Sequence, residues 1–380
     1  KQYTAEAVAA YTIGSLISDT SKIIMGADSD LEIYHNGIKG HIKNITGALN
    51  IESNNIEIGT FNNSATGLRS IAIGANTTAS NTDAIAMGEN TTATGISSTA
   101  IGKATNASAD GATSMGNGTT ASGVNSTSMG VNTLASGAYS TSTGNNTTAS
   151  GDNSFSAGAN TTASGERSTA TGNNTLAGGN SATAIGTTTE ARATSSFATG
   201  INTLASGANS TAMGNVTVAS GLNSFATGNL TTASGDYSTA SGRATNATGN
   251  QSFAAGFFSR ASGEYSTAMG ANSTASGNKS VSIGDSTIAN SFSEIAIGRH
   301  PVAKTGNATI WIATDRLFSI GNGASASSQS MALEILKNGN VVLPGVIPLS
   351  FASDTQAGAG GVPIGGLYHK NGGQIHIRLT

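Results

Sequence analysis

Five histidines and a handful of carboxylates carry whatever acid–base or metal chemistry this chain offers. His35, His41, His300, His369 and His376 all stand outside a long run of strict repeats. The many Ser and Thr hydroxyls inside that run therefore have no imidazole to activate them. The chain has no cysteine, and its histidines lack metal-ligand spacing, so neither a metal nor any other cofactor is expected. Glu166, Asp236 and Glu264 recur at one place in the repeat. Asp236 and Glu264 are two repeats apart, roughly 9–10 Å at the usual strand spacing, against about 5–9 Å for paired glycosidase carboxylates. Elsewhere that position holds Ala138, Val124, Leu222 or Ile96, and only Tyr237 and Tyr265 offer aromatic surface nearby. The carboxylates read as turn residues, and no catalytic residue is assigned.

Residues suited to stacking on or hydrogen-bonding a glycan lie in the non-repeating ends. They are Tyr34, His35, His41, Trp311, Tyr368 and His369, and they are the candidate receptor contacts. The competing reading is that they cap the shaft. Trp311, the single tryptophan, is expected in a core.

The element that must position all of these is a repeat of 14 residues. Glycine recurs from Gly74, Gly88 and Gly102 to Gly284 and Gly298 without a gap, seventeen times, and an alanine follows each by five residues. Such strictness implies stacked solenoid coils. Two heptads of a coiled coil are excluded by two glycines per unit and abundant Thr, Ser and Asn; collagen needs glycine at every third position. What remains is a coil of two short strands and two tight turns. A second glycine lies seven residues from the first, replaced by Asn81, Ala109, Ala193 or Ser291 in four units. The second turn is therefore not expected to have positive φ in every coil. Before each main glycine, a middle Ala or Ser alternates with a larger pair, as in Ser196-Phe197-Ala198-Thr199. With the small side inward the coil is thin, and Phe155, Phe197, Phe225, Phe253, Ile71, Ile73, Met87 and Ile283 form an outer apolar stripe that a ring of identical chains would bury. With the large side inward they fill a monomer.

The units Ser70-Ile71-Ala72-Ile73-Gly74, Ala84-Ile85-Ala86-Met87-Gly88 and Ser280-Val281-Ser282-Ile283-Gly284 resemble the head repeat of YadA-type trimeric autotransporter adhesins. The resemblance implies an all-β parallel roll assembled as a homotrimer on a bacterial surface. That family follows its head with a neck, a coiled-coil stalk and a membrane-anchoring barrel, and this sequence shows none of them. Its flanks differ too. The stretch Leu31-Glu32-Ile33-Tyr34-His35-Asn36-Gly37, and a C-terminal stretch from Ala352 through Leu367-Tyr368 to Ile375-His376-Ile377-Arg378-Leu379, resemble segments of tailed-bacteriophage tail-fibre and virion proteins.

The expected organisation is an N-terminal β-rich cap or attachment region over 1–69, the repeat shaft over 70–303, a β-hairpin region over 304–350 and a C-terminal cap over 351–380. Within the first, Tyr11 to Gly14, Ile23 to Met25, Leu31 to Tyr34 and Leu49 to Ile51 read as strands, the later ones as wider solenoid rungs. Beyond Ala303, Ala308 to Ile312 and Leu317 to Ile320 read as strands, and Ala332 to Leu336 with Val341 to Leu343 as a hairpin turning at Asn338-Gly339. Residues 352–366 read as loop, followed by a strand at Leu367-Tyr368 and a final strand.

A net charge of −3 with no basic cluster excludes nucleic acid as a natural partner, and no stretch reaches membrane-spanning length. The leading expectation is a structural tail fibre of a phage virion supporting host attachment. The alternative is an extracellular bacterial cell-surface adhesin shaft, and a polysaccharide-degrading fibre ranks third. Partners would be two more copies, other fibre proteins and a host envelope glycan or protein.

Overall fold

The computed structural model describes residues 22–25, 31–35, 40–44, 55–61, 63–343, 353–359, 367–370 and 374–377. The chain divides into two compact units, Lys1–Asn54 and Asn55–Thr380. In the first, Lys22–Met25, Leu31–His35 and Gly40–Asn44 form an antiparallel three-stranded sheet. The expected parallel rungs are therefore replaced by a meander: Asn36-Gly37 falls between two strands in hairpin register, with Leu31 opposite Asn44. The strands expected at Tyr11 to Gly14 and Leu49 to Ile51 lie outside the described residues.

The second unit is built on the solenoid. Each coil contributes a five-residue strand such as Thr99–Lys103 and a two-residue strand such as Asn106–Ala107. Both stack in parallel on their counterparts 14 residues away: Thr99 opposite Thr113, Gly102 opposite Gly116, Asn106 opposite Thr120. The chain thus makes two parallel sheets, one from the long strands and one from the short.

The alternation resolves with the small side inward. Ala100, Ala107, Ala184, Ala198, Ala205 and their equivalents are fully buried, together with the residue four before each main glycine, mostly serine, and the residue three after it, mostly threonine. The larger pair points outward. A core of methyls and hydroxyls makes the coil thin, and tight packing then depends on backbone approaching backbone. At the main glycine this is explicit. Gly200 has φ +123, and a Cβ there would overlap the carbonyl of Gly214 in the next coil.

The turns differ from expectation. The second turn does take positive φ in every coil, but two residues past the second glycine, at Arg69, Asp83, Ser97, Asn125, Tyr139, Tyr237 and Tyr265 among others. Where the second glycine is present it lets backbones approach closely, since a Cβ on Gly137 would meet the Gly151 carbonyl, although Asn81, Ala109, Ala193 and Ser291 are accommodated at the same position. The first turn places its left-handed residue two past the main glycine, with Asn the commonest residue there, as at Asn76, Asn90 and Asn146. Hydrogen bonds continue through both turns, with Asn90 N–H donating to Ala75 and Tyr237 N–H to Leu222, at 2.9 and 2.7 Å.

The ladder also outruns the strict period. Upstream, Asn55–Phe61 pairs with Ser70–Ala75, bringing Gly59 opposite Gly74 across a bulge. Downstream, Arg316–Asn322 stacks in parallel on Ile295–Arg299 with Gly321 opposite Gly298, so one further rung is added through a longer coil. The extra length is where Ala308 to Ile312 falls. These residues are bends and irregular backbone and not the expected strand. Met331–Leu336 then runs antiparallel to Arg316–Asn322, and Val341–Val342 pairs back on it as the expected hairpin, with Gly339 at φ +87 in its turn. Asp354–Ala359 is a short helix where loop was expected; its polar start, Ser353-Asp354, suits a helix N-terminus, and the Ser353 carbonyl accepts from Ala357 N–H. Leu367–Lys370 and Gln374–Ile377 form the expected antiparallel pair.

Candidate functional site

Three outward columns and one buried cluster hold the side chains capable of recognition or chemistry. On the long strands, the outward residues stack coil on coil, as in the series Thr211, Phe225, Thr239, Phe253, Thr267. Phe155 is 39% exposed, Phe253, Ile101, Ile185, Met269 and Ile283 are comparably open, and Phe197 and Phe225 are half-buried. On the short strands Leu134, Leu176, Leu204, Val218 and Ile288 are half-buried outward positions. The second turn presents Tyr139, Tyr237 and Tyr265, with Tyr237 57% exposed. A bulky residue held at positive φ is strained, and Asn occupies the same column at Asn125, Asn153 and Asn209. The tyrosines are therefore not there for conformational reasons. Gln251 Nε2 donates to Tyr265 Oη at 3.3 Å.

The carboxylates beside them have a structural task. Asp236 Oδ1 accepts the Leu222 N–H at 2.9 Å, as Asp110 accepts Ile96 and Asp152 accepts Ala138. Asn250 and Asn278 do the same for Asp236 and Glu264. This N–H points at the next coil without a backbone acceptor, so an Asp or Asn there satisfies it. The preference for Asp and Asn at 14-residue multiples was the available signal. Asp236 is engaged along the ladder, and the pair with Glu264 gains no support as catalytic machinery.

The cluster lies where the last regular coil meets the hairpin. Glu294 takes the place of the buried serine in the column of Ser266 and Ser280 and is 1% exposed. Its Oε2 accepts Asn290 N–H, Ser291 N–H and Ser291 Oγ at 2.9, 2.9 and 3.1 Å, while Oε1 has no partner. Burial pushes its pKa up, offset in part by those bonds and by Arg316. Nearby, Glu334 Oε1 accepts Lys304 Nζ at 2.7 Å and lies 3.3 Å from Arg316 Nε. Burial opposes ionisation of Glu334 too, but Lys304 and Arg316 outweigh it and hold its pKa below the ordinary value. Lys337, its side chain wholly buried, is pushed down by burial against the pull of Asp315 and Glu294. The single substitution of Glu for Ser in an otherwise small, neutral column marked this cluster in the sequence, and reading the column as pattern alone missed it.

The candidate contacts fall on three separate elements. Tyr34 stands opposite His41 and His35 opposite Gly40 in the N-terminal sheet. Tyr368 stands opposite His376 and His369 opposite Ile375 in the C-terminal pair. Trp311 is 50% exposed and so is not the core residue expected; it lies in the irregular insertion, with Lys337 Nζ 5.3 Å from its ring centre. Among the described residues no group of three or more His, Asp or Glu is arranged to hold a metal, and no helix is long and apolar enough to cross a membrane.

Strict stacking, an alanine core and outward apolar columns define a parallel β-solenoid. A family profile for the YadA head domain repeat (two copies) matches residues 65–91, 93–119, 121–147, 149–175, 205–231, 233–259 and 261–287. The matched repeats are thus similar to the YadA head domain repeat. No curated protein matches the chain, and nothing in the comparisons supports the tail-fibre resemblance of the flanks.

Proposed function

We propose that the chain is the shaft of an adhesin-like surface fibre, working as a homotrimer that binds without turnover. The observation that carries this reading is the outward placement of Phe, Ile, Met and Leu on a coil whose interior is already filled by Ala, Ser and Thr. Apolar side chains recurring outward along a stacked rod, interleaved with Thr, call for a partner along its length. Copies of the same rod match it coil for coil, and the YadA family is one of trimeric adhesins. The family match also favours a bacterial cell surface over a virion. Light scattering on the full chain is expected to give three times the 37.3 kDa chain mass; a monomer at micromolar concentration would overturn the assembly. An adjacent gene for a membrane barrel supports the surface location, and adjacent baseplate genes would reverse it.

Contacts with a host glycan are assigned to aromatic residues outside the strict repeats: Trp311, which is exposed, and the end residues Tyr34, His35, His41, Tyr368 and His369. Binding of envelope glycan by the full chain should fall in Trp311→Ala and in Tyr34→Ala. Unchanged binding in both would make these residues caps only, and release of shortened glycan would overturn the non-enzymatic reading.

A further inference from the structure

The buried cluster contains a lysine, an aspartate and a glutamate that a fibre shaft has no need of. Asp315 immediately precedes Arg316–Asn322, and Lys337 immediately follows Met331–Leu336. Those strands are antiparallel neighbours with Arg316 opposite Leu336, and Lys337 N–H donates to the Asp315 carbonyl at 3.0 Å. Backbone pairing therefore holds the two side chains at one junction.

Their geometry is poor for an ion pair. Lys337 Nζ lies 3.9 Å from Asp315 Oδ2, beyond hydrogen-bond range, and its one hydrogen bond is a long 3.4 Å contact to Ser291 Oγ. The neighbouring pair of Lys304 and Glu334 shows what this cap achieves when an ion pair is the end state, at 2.7 Å. An ammonium has three N–H groups to satisfy, and burying it under-bonded is costly. Burial shifts Lys337 toward the neutral amine, which is the nucleophile, against the opposing pull of Asp315 and Glu294. The Trp311 ring, 5.3 Å from Nζ, packs against it.

Glu294 supplies the proton chemistry. Ser291 Oγ stands between Lys337 Nζ and Glu294 Oε2, and its hydroxyl also reaches the Arg316 carbonyl at 2.9 Å. Gly306 packs against both Ser291 Cβ and the Asp315 carboxyl, so a single glycine separates them. Asp315 Oδ2 accepts Asn307 N–H at 2.8 Å, which fixes and polarises the carboxyl.

We propose that Lys337 and Asp315 join in an intramolecular isopeptide bond, with Glu294 moving the protons through Ser291. Lys337 Nζ attacks Asp315 Cγ, forming one C–N bond. The Lys337 ammonium first passes one proton by way of Ser291 Oγ to Glu294, the attacking nitrogen gives up a second as the amide forms, and both protons end on the departing Asp315 oxygen as its C–O bond breaks. One water leaves, no atom changes oxidation state, and no co-reactant is needed. The product is a neutral amide where two buried charges stood. It staples the last rung of the solenoid to the hairpin that covers it, and it does not depend on the surface-fibre reading.

Intact-mass measurement on the purified full chain tests this directly. The mass should lie one water below that of the sequence, and a digest should contain one branched peptide joining Asp315 to Lys337. Lys337→Arg and Asp315→Ala should restore the full mass. Asp315→Asn should still link, with loss of ammonia in place of water, which separates chemistry from folding. Glu294→Gln should slow the linkage strongly in protein whose circular dichroism is unchanged. Full mass in folded wild-type protein would overturn the proposal, as would a water loss without a joined peptide, which marks a succinimide. Linkage at the wild-type rate in Glu294→Gln would overturn the role of Glu294.

Discussion

The shaft and its C-terminal cap bury polar atoms by opposite means. Inside the regular coils that precede Glu294 no charge is buried: Ser142 Oγ meets Thr147 Oγ1 at 2.7 Å, Ser156 meets Thr161 likewise, and the rest of the interior is the methyls of Ala with the small hydroxyls of Ser and Thr. In the cap, Glu294, Arg316 and Lys337 are buried together. The difference follows from what each region must satisfy. A coil in mid-array has an identical neighbour on each side, so its backbone is paired and only small side chains fit. The last coil has lost one neighbour, and its exposed edge must be closed by residues specific to that place.

The largest effect should come from glycines. Gly200→Ala adds a Cβ at φ +123 into the backbone of the next coil, and should cost about 4 kcal/mol or more. Gly339→Ala in the cap hairpin has positive φ but open space around it, so only the ~1–2 kcal/mol conformational cost applies. Paired thermal melts check the contrast. Comparable losses would mean that close stacking is not what the shaft glycines provide.

Overpacking should come next. Ala198→Leu in the filled interior is expected to cost about 3 kcal/mol, while Ala332→Leu on the exposed hairpin face should stay within about 0.5 kcal/mol.

Glu334→Gln tests the cap by its charges. Removing the acceptor of Lys304 and the partner of Arg316 should cost about 1.5–3 kcal/mol at neutral pH. Because the folded-state pKa of Glu334 is depressed, its contribution is present above the ordinary glutamate value and is lost as pH falls through the lower folded value. Trp311, the only tryptophan, reports the cap by fluorescence. Acid should loosen the wild-type cap before the shaft loses its strand signal, and the variant should lack that acid transition.

The smallest effect concerns hydroxyls. Where the mid-strand residue is Ser, it pairs with the threonine of its own coil. Where it is Ala, as at Ala184, Ala198 and Ala212, the matching Thr189, Thr203 and Thr217 hydroxyls have no partner. Ser142→Ala should therefore cost about 1 kcal/mol, and Thr203→Val, which removes a hydroxyl already orphaned, should be neutral or stabilising. Urea midpoints at constant slope distinguish the two.

The shaft was legible because its constraint is local and repeated. A glycine column, an alanine column and a strand alternation are each written seventeen times, but which side of the alternation faces inward was not legible, since either choice fits the period and only the structure puts the small side inside. The left-handed positions were harder to see, since residues as different as Arg69, Ser97 and Tyr139 occupy one of them; the fold imposes that conformation through stacking and not through side-chain type. The extra rung at Gly321 escaped because an insertion breaks the period while the pairing continues. Trp311 was placed in a core by composition, yet it sits on that insertion. The cap cluster joins residues from Glu294 to Lys337, and only tertiary structure brings them together.

A register fixed at one 14-residue step has a bearing on how such a rod changes over generations. Removing or duplicating a whole unit leaves every interior contact equivalent to one already present, so recombination between neighbouring repeats alters reach in steps of roughly 4.8 Å per coil. The closing hairpin and its buried charges can remain untouched through any number of such steps. Length is thereby a trait that can drift or be selected separately from whatever the two ends carry.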